Sequence, residues 1–165
     1  AEATTLPDQT IEFVTAGQAF HWFDISRAHS EFLRILRPGG WVVLVWNYRQ
    51  MAATPFMQEY EQLVERYSID YSAVAHHRPE FDDSNVSRFF GSAGCQVVIH
   101  PNQQMLDFAG LQGRLLSSSY SPEAGHPKHE PMLAALRQLF DHYQQDGTVH
   151  MAYETKVHFG RLSPV

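Results

Sequence analysis

Six consecutive apolar residues, Trp41-Val42-Val43-Leu44-Val45-Trp46, follow directly on Pro38-Gly39-Gly40. A run this short with no polar alternation fits a strand covered on both faces, which is the habit of parallel strands. Upstream, Ile11-Glu12-Phe13-Val14-Thr15-Ala16 reads as a strand after the turn signal Leu6-Pro7-Asp8. Asp24 can then cap a helix to about Leu36, with Ala28, Phe32, Ile35 and Leu36 on one face. The expectation is that Pro38-Gly39-Gly40 ends that helix. Strand, helix, turn and buried strand make a βαβ unit, which commits the chain to an α/β class with a right-handed crossover.

The remainder adds mixed elements. Pro55 opens a helix through Phe56, Tyr60, Leu63, Val64 and Tyr67. Tyr71 to Asp83, with His76-His77, is polar and reads as a surface loop. Ser84 caps a short helix carrying Val86, Phe89, Phe90 and Ala93, and Gly94 ends it. Gln96 to Ile99 is a short strand, Asp107 to Leu116 a helix, Ser117 to Pro122 a loop. Glu130 to Gln144 is a stronger helix, with Leu133, Leu136, Leu139, Phe140 and Tyr143 inward. After the Asp146-Gly147 turn, Val149, Met151, Tyr153, Thr155, Val157 and Phe159 alternate with more polar residues. That period of two predicts a long antiparallel final strand.

The chain has 165 residues, 44% of them hydrophobic and 18% charged, so it can bury roughly 70% of its unfolded surface in one domain over 1–165. Its formal net charge of −6 argues against nucleic acid and anionic membrane as partners. No apolar stretch approaches the ~20 residues of a membrane span. The single cysteine, Cys95, rules out an internal disulfide framework and fits a cytoplasmic location.

Self-contained chemistry is scarce. Ten histidines suggest metal, yet neither His126/His129 nor His76/His77 has a third ligand at a zinc-site spacing, so no metal is expected. There is no Gly-x-Ser-x-Gly elbow, and no Gly-x-Gly loop to cradle phosphates. A nicotinamide dehydrogenase lacks its glycine fingerprint here. What stands out is Ala16-Gly17-Gln18-Ala19-Phe20-His21-Trp22-Phe23-Asp24, placed at the carboxyl end of a parallel strand, where open α/β sheets bind ligands. The residues leave two roles open: Phe20, Trp22 and Phe23 shape a pocket, or they fasten the next helix to the sheet.

The run Ala1-Glu2…Leu6-Pro7-Asp8…Ile11-Glu12-Phe13-Val14-Thr15…Gln18-Ala19-Phe20-His21-Trp22-Phe23-Asp24 resembles the class I S-adenosylmethionine-dependent methyltransferases. So does Arg34-Ile35-Leu36-Arg37-Pro38-Gly39-Gly40 before its strand. The Ala-Phe-His-Trp-Phe-Asp variant is close to the branch that includes methyltransferase type 11 and trans-aconitate methyltransferase-like proteins. The resemblance runs from Ala1 to Leu162 and takes in Ser117 to Pro122, Tyr153-Glu154-Thr155 and Gly160-Arg161-Leu162. It implies a partial Rossmann-like fold with a mixed sheet and an antiparallel last strand inserted beside the Trp41 strand. It further implies S-adenosylmethionine as cofactor and a small-molecule acceptor. Ala1, Glu2, Ala16, Gly17, Gln18, His21 and Trp22 match cofactor-facing positions, and His21 is the candidate base or positioning group. The family's glycine-rich cofactor loop precedes the matched part, so the chain resembles the C-terminal portion of the domain. Weak or absent cofactor binding by this chain alone follows. So does pairing of the Ile11 to Ala16 edge in a homodimer or higher assembly. The contrasting reading is a non-catalytic remnant that serves binding or assembly.

Overall fold

The computed structural model describes residues 1–69 and 83–163. The chain carries β1 (Ile11–Gly17), α1 (Ile25–Ile35), β2 (Leu36–Arg49), α2 (Pro55–Tyr67), α3 (Asp83–Phe90), β3 (Gln96–Leu106), α4 (Phe108–Leu116), α5 (His129–Tyr143) and β4 (Val149–Gly160). The strands form one sheet in the order β1-β2-β4-β3. β1 and β2 are parallel, with Val14 opposite Val42 and Ala16 opposite Leu44. β4 runs against β2. The Gln50 N–H donates to the Ala152 carbonyl at 2.9 Å, Thr155 reaches Asn47, and the Phe159 ring meets Trp41, so position falls on β4 as it rises on β2. The mixed sheet expected from the sequence is present, with Trp41 to Trp46 in its interior.

Residues 1–48, 83–100 and 155–163 form one compact unit, and 49–69 with 101–154 form a second. In the first unit, Ala28, Phe32 and Ile35 of α1 pack with Val42, Leu44 and Trp46 of β2 and with Phe89 and Phe90 of α3. Phe20 joins them, edge-on to Phe89 at 4.9 Å. In the second, α2 and α5 interlock through Tyr60, Val64, Met132 and Leu136, all essentially inaccessible, with Leu111 and Leu115 of α4. Local chemistry sets the helix starts: Asp24, Thr54 and Asp107 each accept a backbone N–H three residues on, at 3.0, 3.1 and 2.7 Å.

Several boundaries differ from expectation. α1 stops at Ile35, because Leu36 is already extended (ψ 138°) as its N–H closes the last turn onto the Phe32 carbonyl. Pro38-Gly39-Gly40 is therefore a bulge within β2. Between Ile11↔Leu36 and Phe13↔Trp41 the partner advances five positions on β2 against two on β1. Gly39 takes φ 81°, which only glycine adopts without strain. β2 is not covered equally on both faces: Val42, Leu44 and Trp46 are buried, while Trp41, Val43 and Val45 are half-buried.

Asp83 is already helical, so Ser84 lies inside α3 and is not its cap; the rest of the expected 71–83 loop, His76 and His77 included, falls outside the described residues. β3 continues past Ile99 to Leu106, and Pro101 fits within it because β3 is the last strand on its side among the described residues. In α5, Met132 is buried, whereas Leu133 and Tyr143 are half-buried. β4 changes phase. Val149, Met151 and Tyr153 are buried, but beyond Thr155 the deep positions are His158 and Gly160, with Val157 and Phe159 half-buried. A Cβ at Gly160 would sit 2.8 Å from the Gly94 carbonyl, and that close approach fixes the later phase.

Leu44 is wholly inaccessible and Phe13 is 60% exposed, although both lie in paired strands. Leu44→Ala should cost about 2–5 kcal/mol in denaturant titration, and Phe13→Ala within about 0.5 kcal/mol.

Candidate functional site

At the carboxyl end of β1 the ladder stops at Gly17 and the chain turns away. Ala16 is buried, Gly17 is open, and Gln18 takes φ 52°. The Gln18 N–H still donates to the Val45 carbonyl at 3.0 Å, and its Oε1 accepts the Asn47 N–H at 3.1 Å. Its Nε2 reaches the Asn47 carbonyl at 3.5 Å. Asn47 in turn accepts the Thr155 hydroxyl on Oδ1 at 2.6 Å. A single 3-10 turn, Phe20–Trp22, follows.

That turn divides its aromatic residues by role. Phe20 is 3% exposed and anchors the turn through Phe89, Phe23 and Trp46, while Phe23 rests edge-on against Phe32. Both fasten α1 to the sheet. Trp22 is 80% exposed. The His21 ring lies 4.8 Å from Trp22 and 6.3 Å from Trp46, and partial burial pushes its pKa below the ordinary histidine value. An imidazole kept neutral near pH 7 can accept a proton or a hydrogen bond.

Glu2 reaches the residue that caps α1, just beyond this turn. Glu2 Oε1 accepts the Asp24 N–H at 2.9 Å, which holds its carboxyl below the usual range, and Ala1 beside it is exposed. The segment is fastened further along by Glu31. Its Oε1 accepts from the Thr4 N–H (2.8 Å), the Thr4 hydroxyl (2.6 Å) and Arg34 Nη2 (2.7 Å), and its Oε2 accepts from Arg34 Nε (2.9 Å). Arg34 also pairs with Asp8, and its carbonyl takes the Gln9 N–H. The structure thus places Gly17 at the end of β1 and Gln18, His21 and Trp22 in the turn that follows it, and ties Glu2 to the cap of α1. Sequence reasoning missed Asn47, Thr155 and the Glu31–Arg34 hub. The i,i+3 charge pair on α1 and a polar residue directly after the apolar run Trp41 to Trp46 were the available signals.

His126 Nδ1 accepts the Lys128 N–H at 3.1 Å and His129 Nδ1–H donates to the Pro122 carbonyl at 2.8 Å, so both shape the entry to α5. No group of three potential metal ligands occurs among the described residues. Among them, too, no helix is long and apolar enough to cross a membrane.

The bonds from Arg34 and Thr4 hold the Glu31 carboxyl at about 2 against an ordinary 4.5. A folded-state value below the unfolded one contributes stability that is present above the ordinary carboxylate range and lost as pH falls toward 2. Melting temperatures measured across that window should fall on acidification. Glu31→Gln should lower the melting temperature at neutral pH and flatten this acid limb, whereas an unchanged limb would remove Glu31 from the account.

The family model for the methyltransferase domain matches residues 1–44. An uncharacterised methyltransferase-like protein of Schizosaccharomyces pombe is 36% identical over 170 aligned positions, covering 99% of this chain and 63% of that protein. An uncharacterised methyltransferase of Mycobacterium tuberculosis is 49% identical over 49 residues, 30% of this chain and 20% of that protein. Among solved structures, a protein described as a type II methyltransferase from Anaeromyxobacter dehalogenans superposes with a TM-score of 0.65 at 19% identity. That alignment covers 99% of this chain and 70% of that one, and shows a shared fold. The chain thus spans 63% of the length of the fission-yeast relative that it matches almost end to end.

Proposed function

We propose that this chain, which belongs to the methyltransferase family, supplies part of a site that moves a methyl group from S-adenosylmethionine to a small-molecule acceptor. The observation that carries the reading is the segment Gly17–Trp22, which leaves the carboxyl end of a parallel strand with His21 and Trp22 turned outward from the buried Phe20 anchor. Ligands of open α/β sheets gather at that end. Gly17, open on the side where a Cβ would stand, lets a ligand approach the backbone closely, and Trp22 offers a large flat face. Ala1, Glu2 and Ala16 border the segment.

His21 is proposed to position the acceptor or take its proton. Methyl transfer requires the acceptor in line with the methyl group, and a neutral imidazole beside Trp22 can hold the acceptor by a hydrogen bond and take its proton. The formal charge of −6 favours a small molecule over nucleic acid as acceptor.

The sequence contains no Gly-x-Gly loop, the usual backbone cradle for the charged part of such a cofactor. On its own the chain should therefore bind S-adenosylmethionine weakly or not at all by calorimetry. At millimolar cofactor, amide shifts should concentrate on Gly17, Gln18 and Trp22. Micromolar affinity would overturn the need for a cradle, and shifts confined to another region would overturn the site.

A second reading, a non-catalytic assembly module, is favoured by the free side of β1. Among the described residues β1 ends the sheet on its side, and Phe13 projects from it 60% exposed. Unpaired strand edges invite another strand, and closed two-fold symmetry is the simplest arrangement. Antiparallel pairing of the Ile11 to Ala16 edge with its copy would give twice the chain mass by light scattering at micromolar concentration. The monomer mass would sink this reading, and a melting temperature raised by S-adenosylmethionine would favour the first.

A further inference from the structure

The end of the β1–β2 ladder follows an unusual bonding pattern. In a parallel ladder a residue that donates to one carbonyl of the neighbouring strand accepts, through its own carbonyl, the N–H two residues further on. Gln18 obeys the first half, donating its N–H to the Val45 carbonyl. The second half calls for the Asn47 N–H to meet the Gln18 main-chain carbonyl. It meets Gln18 Oε1 instead, at 3.1 Å. The next rung would take an N–H from residue 20 to the Asn47 carbonyl, and there too the Gln18 side chain stands in, with Nε2 at 3.5 Å. One side-chain amide occupies the place of the peptide groups that would have continued β1.

The backbone shows the other side of the exchange. Gln18 has φ 52°, a left-handed conformation that a long L side chain rarely adopts and that costs on the order of 1 kcal/mol. That turn swings the Gln18 carbonyl out of the ladder and sends the chain away from the sheet. Phe20 then enters the core, and His21 and Trp22 come to lie outside. A strand that simply continued would cover the end of β2 and close the edge where the proposed site lies.

We infer that Gln18 is a positioning residue whose side-chain amide replaces the missing rungs of the ladder and so holds the Ala19–Trp22 turn open at the cofactor edge. Asn47 is the complementary element, fixed to β4 through Thr155. This rests on reading Gly17–Trp22 as the cofactor edge, but the conformational role does not require a cofactor to be seen. Gln18→Glu keeps the Oε1 acceptor for the Asn47 N–H at the cost of the longer Nε2 contact, and should preserve the turn because the acceptor is the closer of the two bonds. Gln18→Leu keeps an aliphatic side chain, one atom shorter, and loses the amide, so the main-chain carbonyl is drawn back toward the Asn47 N–H. Gln18→Gly permits the same φ with no side chain and should also release the turn.

The test is the Trp22 indole N–H resonance of the full chain, assigned by its absence in Trp22→Phe. It should stay in place in Gln18→Glu and shift in Gln18→Leu and Gln18→Gly. In the last two, S-adenosylmethionine should need about tenfold more ligand for the same shift of Gly17. A Trp22 resonance that moves as far in Gln18→Glu as in Gln18→Gly would overturn the inference. So would lowered melting temperatures in Gln18→Leu and Gln18→Gly with Trp22 unmoved, the signature of a merely structural contact. If Trp22 moves as expected while the wild-type chain shows no cofactor shifts at all, the positioning role stands and the cofactor reading fails.

Discussion

Because two parallel strands cannot be joined by a tight turn, β1 and β2 need a crossover element, and the helix that supplies it must bury one face against the sheet they form. Most of the first unit follows from that requirement. The α1 face of Ala28, Phe32 and Ile35 meets Val42, Leu44 and Trp46, and α3 closes the same core with Phe89 and Phe90. The carboxyl ends of β1 and β2 are thereby brought side by side, and the chain leaving β1 must turn there. Phe20 makes the turn durable by placing an aromatic ring in the core within three residues of the strand's end.

The polar groups around this turn act on different segments. Glu31 and Arg34 lie near the far end of α1 and fasten the first ten residues along it through Thr4, Asp8 and Gln9. Glu2 then reaches the near end of the same helix at Asp24. A buried carboxylate with a bidentate arginine and two threonine donors is fully satisfied, so its burial is tolerated. The site depends on this hub indirectly: it fixes the segment that borders the turn, not the turn itself.

Much of this was legible in the order of residues, for reasons particular to each element. Asp24, Thr54 with Pro55, and Asp107 are local caps, and the bonds they make lie within three residues, so the helices they open were readable. The run Trp41 to Trp46 declared a central strand by its lack of polar residues. Pro38-Gly39-Gly40 misled because the same residues that stop a helix also form a bulge, and only the register with Ile11 and Phe13 separates the two. The β4 phase change was invisible because His158 looks like a solvent residue until Cys95 comes within 3.8 Å of its ring. The Gln18–Asn47 exchange joins residues 29 apart in sequence, and no periodicity announces which side chain will imitate a backbone.

β3 carries a consequence of a different kind. All but the last of its 11 residues are exposed, none bears a formal charge with histidine neutral, and Val97, Val98 and Ile99 offer apolar side chains to both faces. Natural sheets usually guard their outermost strand with lysine, a bulge or a covering loop. Here Pro101 is the interruption, and it leaves the five residues from Gln96 to His100 uninterrupted. Short segments that are β-prone and uncharged are the material of cross-β fibrils. In concentrated solution this strand, on the side of the sheet away from β1, offers copies of the chain an unguarded surface, and one introduced lysine would act there as a gatekeeper.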